Sequence, residues 1–297
     1  MLQGGVTMNH RFMLRAMTLC LFCLPLLVEA VTYRASMNHA EWRLELSPFE
    51  CRMWQPIPVY GDAVFQYRAG EQQRFYLSPT RQLMREGKAS LVSVAPVWNS
   101  KRRSADLGLI AVKKSEQPIA LEPALATRLL TELHEGMSPV FTRKSWYAQE
   151  KSVQVGLSSV NFRKAYGQYR DCLAQLLPVN FDQIARSRIK FKTAGWEITT
   201  ASRERLEVLL DYVKADPSIT GFYIDGHTDN VGRRLYNLDL SKRRAEEVSK
   251  YLVAAGIDEA LITTRYHGER YPVASNNTAP NRFKNRRVTI RLERDGL

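Results

Sequence analysis

Between residues 31 and 169 the apolar positions fall in short alternating or β-rich runs, such as Trp42-Arg43-Leu44-Glu45-Leu46, Phe75-Tyr76-Leu77 and Val153-Gln154-Val155-Gly156-Leu157. Alternation sends every second side chain to one face, which is the pattern of half-buried strands broken by turn residues. One stretch departs from it. Over 123–135, Leu125, Leu129, Leu130 and Leu133 recur at helical spacing, Pro123 suits a first helical turn and Gly136 follows the end. The pattern predicts an all-β domain with one helical interruption.

Around residue 180, after Pro178, strands and helices begin to alternate. A short strand is expected at 188–191. A helix at 201–215 carries Leu206, Leu209, Leu210 and Val213 on one side and closes at Asp216-Pro217. A strand at 219–225, a helix at 240–255 ended by Gly256, and strands at 262–267 and 288–292 complete a βαβαββ-like unit. Helices on one side of a mixed sheet would bury Leu206, Leu210, Val213, Val248 and Leu252 against it. The fold class is α+β: an N-terminal β domain over 31–180 and a C-terminal α/β sandwich over 181–297.

The first thirty residues follow neither pattern. Arg11 and Arg15 precede a run from 16 to 28 that is apolar apart from Thr18, and Val28-Glu29-Ala30 places small residues at processing positions. This reads as a secretory signal over 1–30, cleaved after Ala30. A membrane anchor is the alternative, but the run is shorter than the ~20 apolar residues that span a bilayer. Leu19 and Phe22 stand where a lipoprotein would need a small residue before its cysteine. Cys20 and Cys23 leave with the signal, and Cys51 and Cys172 remain. Two thiols in an oxidising compartment point to one bridge, with two buried free thiols as the alternative.

Composition adds little beyond a folded chain: 297 residues, 44% hydrophobic and 25% charged. The formal net charge of +13 would point a cytosolic chain to nucleic acid. For an exported chain the polyanions within reach are lipid headgroups, wall polymers and acidic partners, so no nucleic-acid partner is expected. No cofactor is implied, and His39, His134 and Ser158-Ser159 form no catalytic pattern.

The residues that carry chemistry lie after the second strand of the C-terminal unit. The chain reads Gly226-His227-Thr228-Asp229-Asn230-Val231-Gly232, then 237–248 as Asn-Leu-Asp-Leu-Ser-Lys-Arg-Arg-Ala-Glu-Glu-Val, later Tyr266-His267-Gly268-Glu269, and finally Asn285-Arg286-Arg287-Val288. These blocks, in this order, resemble the signature of the OmpA-like peptidoglycan-binding domain. Physically, Asp229 lies just past a strand end and Arg244 on the first turns of the next helix, so a short loop can fold both toward one cleft. Diaminopimelate of the wall peptide has an ammonium and a carboxylate on one distal carbon, and an Asp with an Arg match that zwitterion. The resemblance assigns this role to Asp229 and Arg244, has Asn237 and Thr228 shape the loop, and brings Arg286 close by. A surface ion pair with Glu247 or Glu204 is the bland alternative for Arg244. His227 and Asp229 are half a metal site and lack a third ligand. A wall hydrolase using Asp225 and Asp229 is disfavoured, because basic surroundings depress carboxyl pKa values. Lys192, after Phe191, and Trp196 depart from the pattern of many relatives.

In the N-terminal half, 51–65 (Cys-Arg-Met-Trp-Gln-Pro-Ile-Pro-Val-Tyr-Gly-Asp-Ala-Val-Phe), Val155-Gly156-Leu157-Ser158-Ser159-Val160 and Asp171-Cys172 resemble the MotY family of flagellar motor proteins. That resemblance implies a periplasmic ring component around the basal body, a possible homo-oligomer. It would work with a MotX-type partner and help assemble the stator through its N-terminal domain. The alternative is a wall-anchored envelope protein with no motor role. An outer-membrane β-barrel is disfavoured by Arg52, Arg68, Lys88, Lys101, Arg102 and Arg103, which interrupt any apolar outer face.

Overall fold

The computed structural model describes Met1, Gly4 and residues 30–98, 101–148 and 151–295. The expected signal segment therefore lies almost wholly outside the described residues. In the N-terminal half, β1 (Ala30–Arg34), β6 (Gly87–Val94), β7 (Ala105–Val112), β9 (Ser138–Lys144) and β10 (Ser152–Gly156) form one sheet, ordered β1-β10-β9-β6-β7. A second holds β2 (Arg43–Leu46), β3 (Glu50–Ile57), β4 (Gly61–Arg68), β5 (Arg74–Pro79) and β8 (Ile119–Leu121), in that order. Strict alternation is plainest in β3, where Cys51, Met53, Gln55 and Ile57 are buried and their neighbours are half-exposed. Pro56 lies in this strand although it has no N–H to give. β2 pairs only with 51–54, so nothing on that side asks for one.

The helix expected at 123–135 is α1 (Pro123–His134), with Ala126, Leu129, Leu130 and Leu133 buried. The all-β expectation for this half needs one correction, since a second helix, α2 (Phe162–Leu173), occupies residues assigned to β structure. It buries Phe162, Ala165, Tyr169 and Cys172, a stripe at helical spacing. Both sheets and both helices share one core, in which Phe65, Phe75, Phe141 and Phe162 are fully buried. Cys51 on β3 and Cys172 on α2 are joined in a disulfide with a Cα–Cα distance of 6.0 Å.

A one-turn helix, α3 (Phe181–Ile184), opens the C-terminal half. Asn180 and Gln183 cap it reciprocally. There follow β11 (Arg186–Lys190), α4 (Thr200–Ala215), β12 (Ile219–His227), α5 (Arg234–Ala254), β13 (Ile262–Tyr266), α6 (Ala279–Asn285) and β14 (Arg287–Arg294). The sheet order is β11-β14-β12-β13, with β12 and β13 parallel and β14 antiparallel to both β11 and β12. α4 and α5 bury Leu206, Leu210, Val248 and Leu252 against Ile189, Phe222, Ile224, Val288 and Ile290, with Val213 half-buried beside them.

The two cores meet through a narrow junction. The Phe49 ring lies 5.1 Å from that of Tyr212, and Leu177 donates its backbone N–H to the Pro48 carbonyl at 2.9 Å. Gln183 donates to the Gly70 carbonyl and Asn180 to Glu71.

Candidate functional site

β12 carries its residues past the sheet edge and delivers His227, Thr228 and Asp229 to the start of a loop that turns into α5. The strand and helix approach so closely that a Cβ on Gly226 would lie 2.1 Å from the Ser241 carbonyl oxygen, so only glycine fits. Gly268, at φ +57°, closes the other side. Its carbonyl accepts the Thr228 N–H at 2.9 Å, and its own N–H is donated to the Ser241 hydroxyl at 2.9 Å.

α5 begins at Arg234, six residues before the expected 240, and its first turns invert the usual rule. Asn237, Ser241 and Arg244 are buried with Leu240 and Ala245, while Leu235, Tyr236 and Leu238 are exposed. The inward stripe runs on at helical spacing, but through polar residues. Asn237 donates to Glu269 at 2.7 Å, which ties the helix start to the loop after β13. The Thr228 hydroxyl is buried and has no protein partner.

Arg244 has no exposed surface. Its guanidinium donates to three carbonyls, those of Gly195 (2.7 Å), His227 (3.0 Å) and Lys192 (3.1 Å), and lies 5.3 Å from the Phe191 ring centre. It therefore pins the loop after β11 to the end of β12. A surface pair with Glu247 or Glu204 does not describe it. The loop takes part through backbone atoms, which is why Lys192 can depart from the family pattern without disturbing this contact.

Asp229 is 5% exposed. One carboxylate oxygen accepts the Val231 N–H at 3.1 Å, and the other accepts from Arg286 at 2.8 Å. Arg286 also donates to the Phe191 carbonyl and lies over the Phe283 ring. Burial pushes the Arg244 guanidinium down to about 10, the Asp229 charge opposes that, and the Arg286 charge reinforces it. Asp229, Arg244 and Arg286 thus share one electrostatic environment, with two cations to one anion. Direct contact is between Asp229 and Arg286, with Arg244 behind them.

Reading the sequence left out two participants. The Gly195 and Lys192 carbonyls carry no side-chain signal. Asn285 is fully buried, accepts the N–H groups of Val273 and Ala274, and donates to the Ala274 carbonyl and the Asn276 side chain, so it sets the loop that leads into α6. Among the described residues no group of three or more His, Cys, Asp or Glu side chains could hold a metal.

Comparison with known proteins covers both halves. The model of the MotY N-terminal domain matches residues 33–178, and that of the OmpA family matches 190–286. The sodium-type flagellar protein MotY of Vibrio parahaemolyticus is 32% identical over 266 residues, which cover 88% of this chain and 90% of that protein. The chain belongs to the MotY family. Its OmpA half is also similar to the peptidoglycan-binding protein ArfA of Mycobacterium bovis, at 41% identity over 102 residues, covering 34% of this chain and 31% of that one. Among solved structures, the C-terminal domain of Helicobacter pylori MotB is 24% identical with a TM-score of 0.35, covering 37% of this chain and 86% of that one. No helix among the described residues is long and apolar enough to cross a membrane.

Proposed function

We propose that this MotY-family chain is a periplasmic part of the flagellar motor, held to peptidoglycan by residues 181–297 and binding the basal body through residues 31–180. The observation that carries the reading is the similarity to a flagellar MotY across both halves, joined to an OmpA-family half in which Asp229, Arg244 and Arg286 share one charged site. On this reading the N-terminal domain meets a MotX-type partner, contributes to a ring around the basal body and helps assemble the stator. The stator pushes against the rotor and needs a fixed support, which the covalent wall mesh supplies.

The wall site works by charge matching. The Asp229, Arg244 and Arg286 group has one positive charge in excess, so a ligand carboxylate is favoured there. Arg244 has no exposed surface and spends three of its five guanidinium N–H groups on carbonyls, so Arg286 is the cation that meets this carboxylate and Arg244 adds its charge from behind. The ligand ammonium then takes the Asp229 carboxylate in competition with Arg286. A diaminopimelate centre brings both charges on one carbon, whereas a lysine centre brings only the ammonium. The protein acts by binding, without catalysis: Asp225 is held by Arg265 and His267, and Asp229 by Arg286, so neither carboxylate is placed as a general acid.

The test has two parts. Deleting the gene should leave filaments in place while swimming in soft agar fails, and normal swimming would rule out the motor role. The purified protein should pellet with wall sacculi, and Asp229→Asn should stay in the supernatant. Pelleting of that variant equal to wild type would remove the clamp while leaving the motor role standing.

A further inference from the structure

The C-terminal sheet has a second face, turned away from α4 and α5. Strand alternation that puts Ile189, Ile224, Val288 and Ile290 into the core puts Arg186 and Arg188 of β11, Arg287 and Arg291 of β14, and Asp225 and His227 of β12 on this other face. The register sets Arg186 opposite Arg291, and His227 opposite Arg287. Like charges directly opposite on neighbouring strands, as in the Arg186 and Arg291 pair, destabilise a sheet. Here they line a cleft of about 410 Å³.

Charge in that cleft is not balanced by its own residues. Asp225 is its single acidic lining residue, and it is already taken: Arg265 holds both of its oxygens at 2.8 Å, and His267 meets it at 2.8 Å. The arginines of β11 and β14 have no carboxylate left in the lining. His227, 6% exposed, has an Nδ1 with no partner, and Arg287, 4% exposed, has an unpartnered Nε. The surplus reaches the neighbours. Lys190 is pushed down to about 8, first by burial and then by Arg287, Arg188 and other cations. Neither Asp229 nor Arg244 lines this cleft.

We propose that the cleft binds a phosphate group, with the exposed Arg188 and Arg291 donating to its oxygens and the buried Arg287, whose terminal nitrogens hold the Asn285 and Tyr271 carbonyls, adding positive charge beneath them. A carboxylate is satisfied by one guanidinium fork. Guanidinium groups carried on adjacent strands, ~5 Å apart, suit an ion with three or four acceptor oxygens and more than one charge. A free phosphate and the phosphate of a lipid headgroup share this chemistry.

The full-length protein, titrated calorimetrically with inorganic phosphate at fixed ionic strength, should give saturable one-site heat. The double variant Arg188→Gln/Arg291→Gln alters two exposed side chains and should weaken binding at least about tenfold while still pelleting with sacculi. Asp229→Asn should bind phosphate as wild type does, which separates this site from the wall site. Co-sedimentation with phosphatidylglycerol vesicles, absent with phosphatidylcholine, displaced by phosphate and lost in the double variant, would identify a headgroup as the source. Phosphate heat without vesicle binding would identify a soluble phosphate. Absence of both, or binding that the double variant leaves unchanged, would overturn the proposal.

Discussion

Arg244 and Asp229 have different jobs, and substitutions should separate them. Removing the Arg244 side chain leaves three carbonyls without their donor and opens a buried void, so Arg244→Ala should cost on the order of 3–5 kcal/mol as well as wall binding. Asp229→Asn keeps an acceptor for Val231 and leaves Arg286 partly supported by the Phe191 carbonyl, so about 1–3 kcal/mol is expected. Urea unfolding of both variants checks the order; equal losses would mean Arg244 holds no structure that Asp229 does not. His227 offers a pH test. Burial first, then Arg287 and His267, push it down to about 3 against the weaker opposing pull of Asp225. Between about 6.5 and 3 the unfolded chain takes up a proton that the folded one refuses, so stability is full above 6.5 and falls as pH falls through that window. The drop in urea midpoint from pH 7 to pH 5 should be smaller in His227→Gln. The acidic and basic side chains of the site were legible in the sequence because charge and order announce them. The carbonyls of Lys192 and Gly195 were not, because every residue has one.

At the scale of elements, legibility followed the hydrophobic stripe. α4 matched to within one residue because Leu206, Leu209 and Leu210 mark its inner face. α5 was read six residues short because its buried face there is Asn237 and Ser241 and its outer face is Leu235 and Tyr236, the reverse of what burial usually selects. α2 carried a regular stripe at Phe162, Ala165, Tyr169 and Cys172, but only residues 157–161 separate it from β10 and its Asn161 start lies at φ +61° without a side-chain cap. α6, of seven residues, was too short for periodicity; Thr278 and Pro280 were its signal. The contact between α5 and β12 yields its own prediction. Gly226→Ala forces a methyl group onto the Ser241 carbonyl, a backbone atom that cannot swing away, and should cost more than the ~1–3 kcal/mol of ordinary overpacking. Circular dichroism melting of the purified variant checks it, and an unchanged midpoint would show that helix and strand can part at no cost.

For the whole molecule, two cores of different grammar were visible in the chain before any geometry, as was a bridge between Cys51 and Cys172. How the halves meet was not. The junction rests on Phe49, Leu177, Asn180 and Gln183, scattered positions that no periodicity connects. The disulfide spans a sequence separation of 121, and the chain-entropy model gives such a closure roughly 4–5 kcal/mol. Cys172→Ser should therefore lower the denaturant midpoint markedly in the oxidised protein, and wild type in reductant should shift toward the variant.

That bridge also decides how tension crosses the molecule. Pulling on the wall-bound half loads the chain at Leu177, a few residues beyond Cys172. A covalent shortcut there hands the load to β3, which is paired on both sides by β2 and β4, so α2 is spared from being peeled off end first. A tether built this way yields only when β3 parts from β2 and β4, which suits the role proposed for this chain of holding against a turning motor.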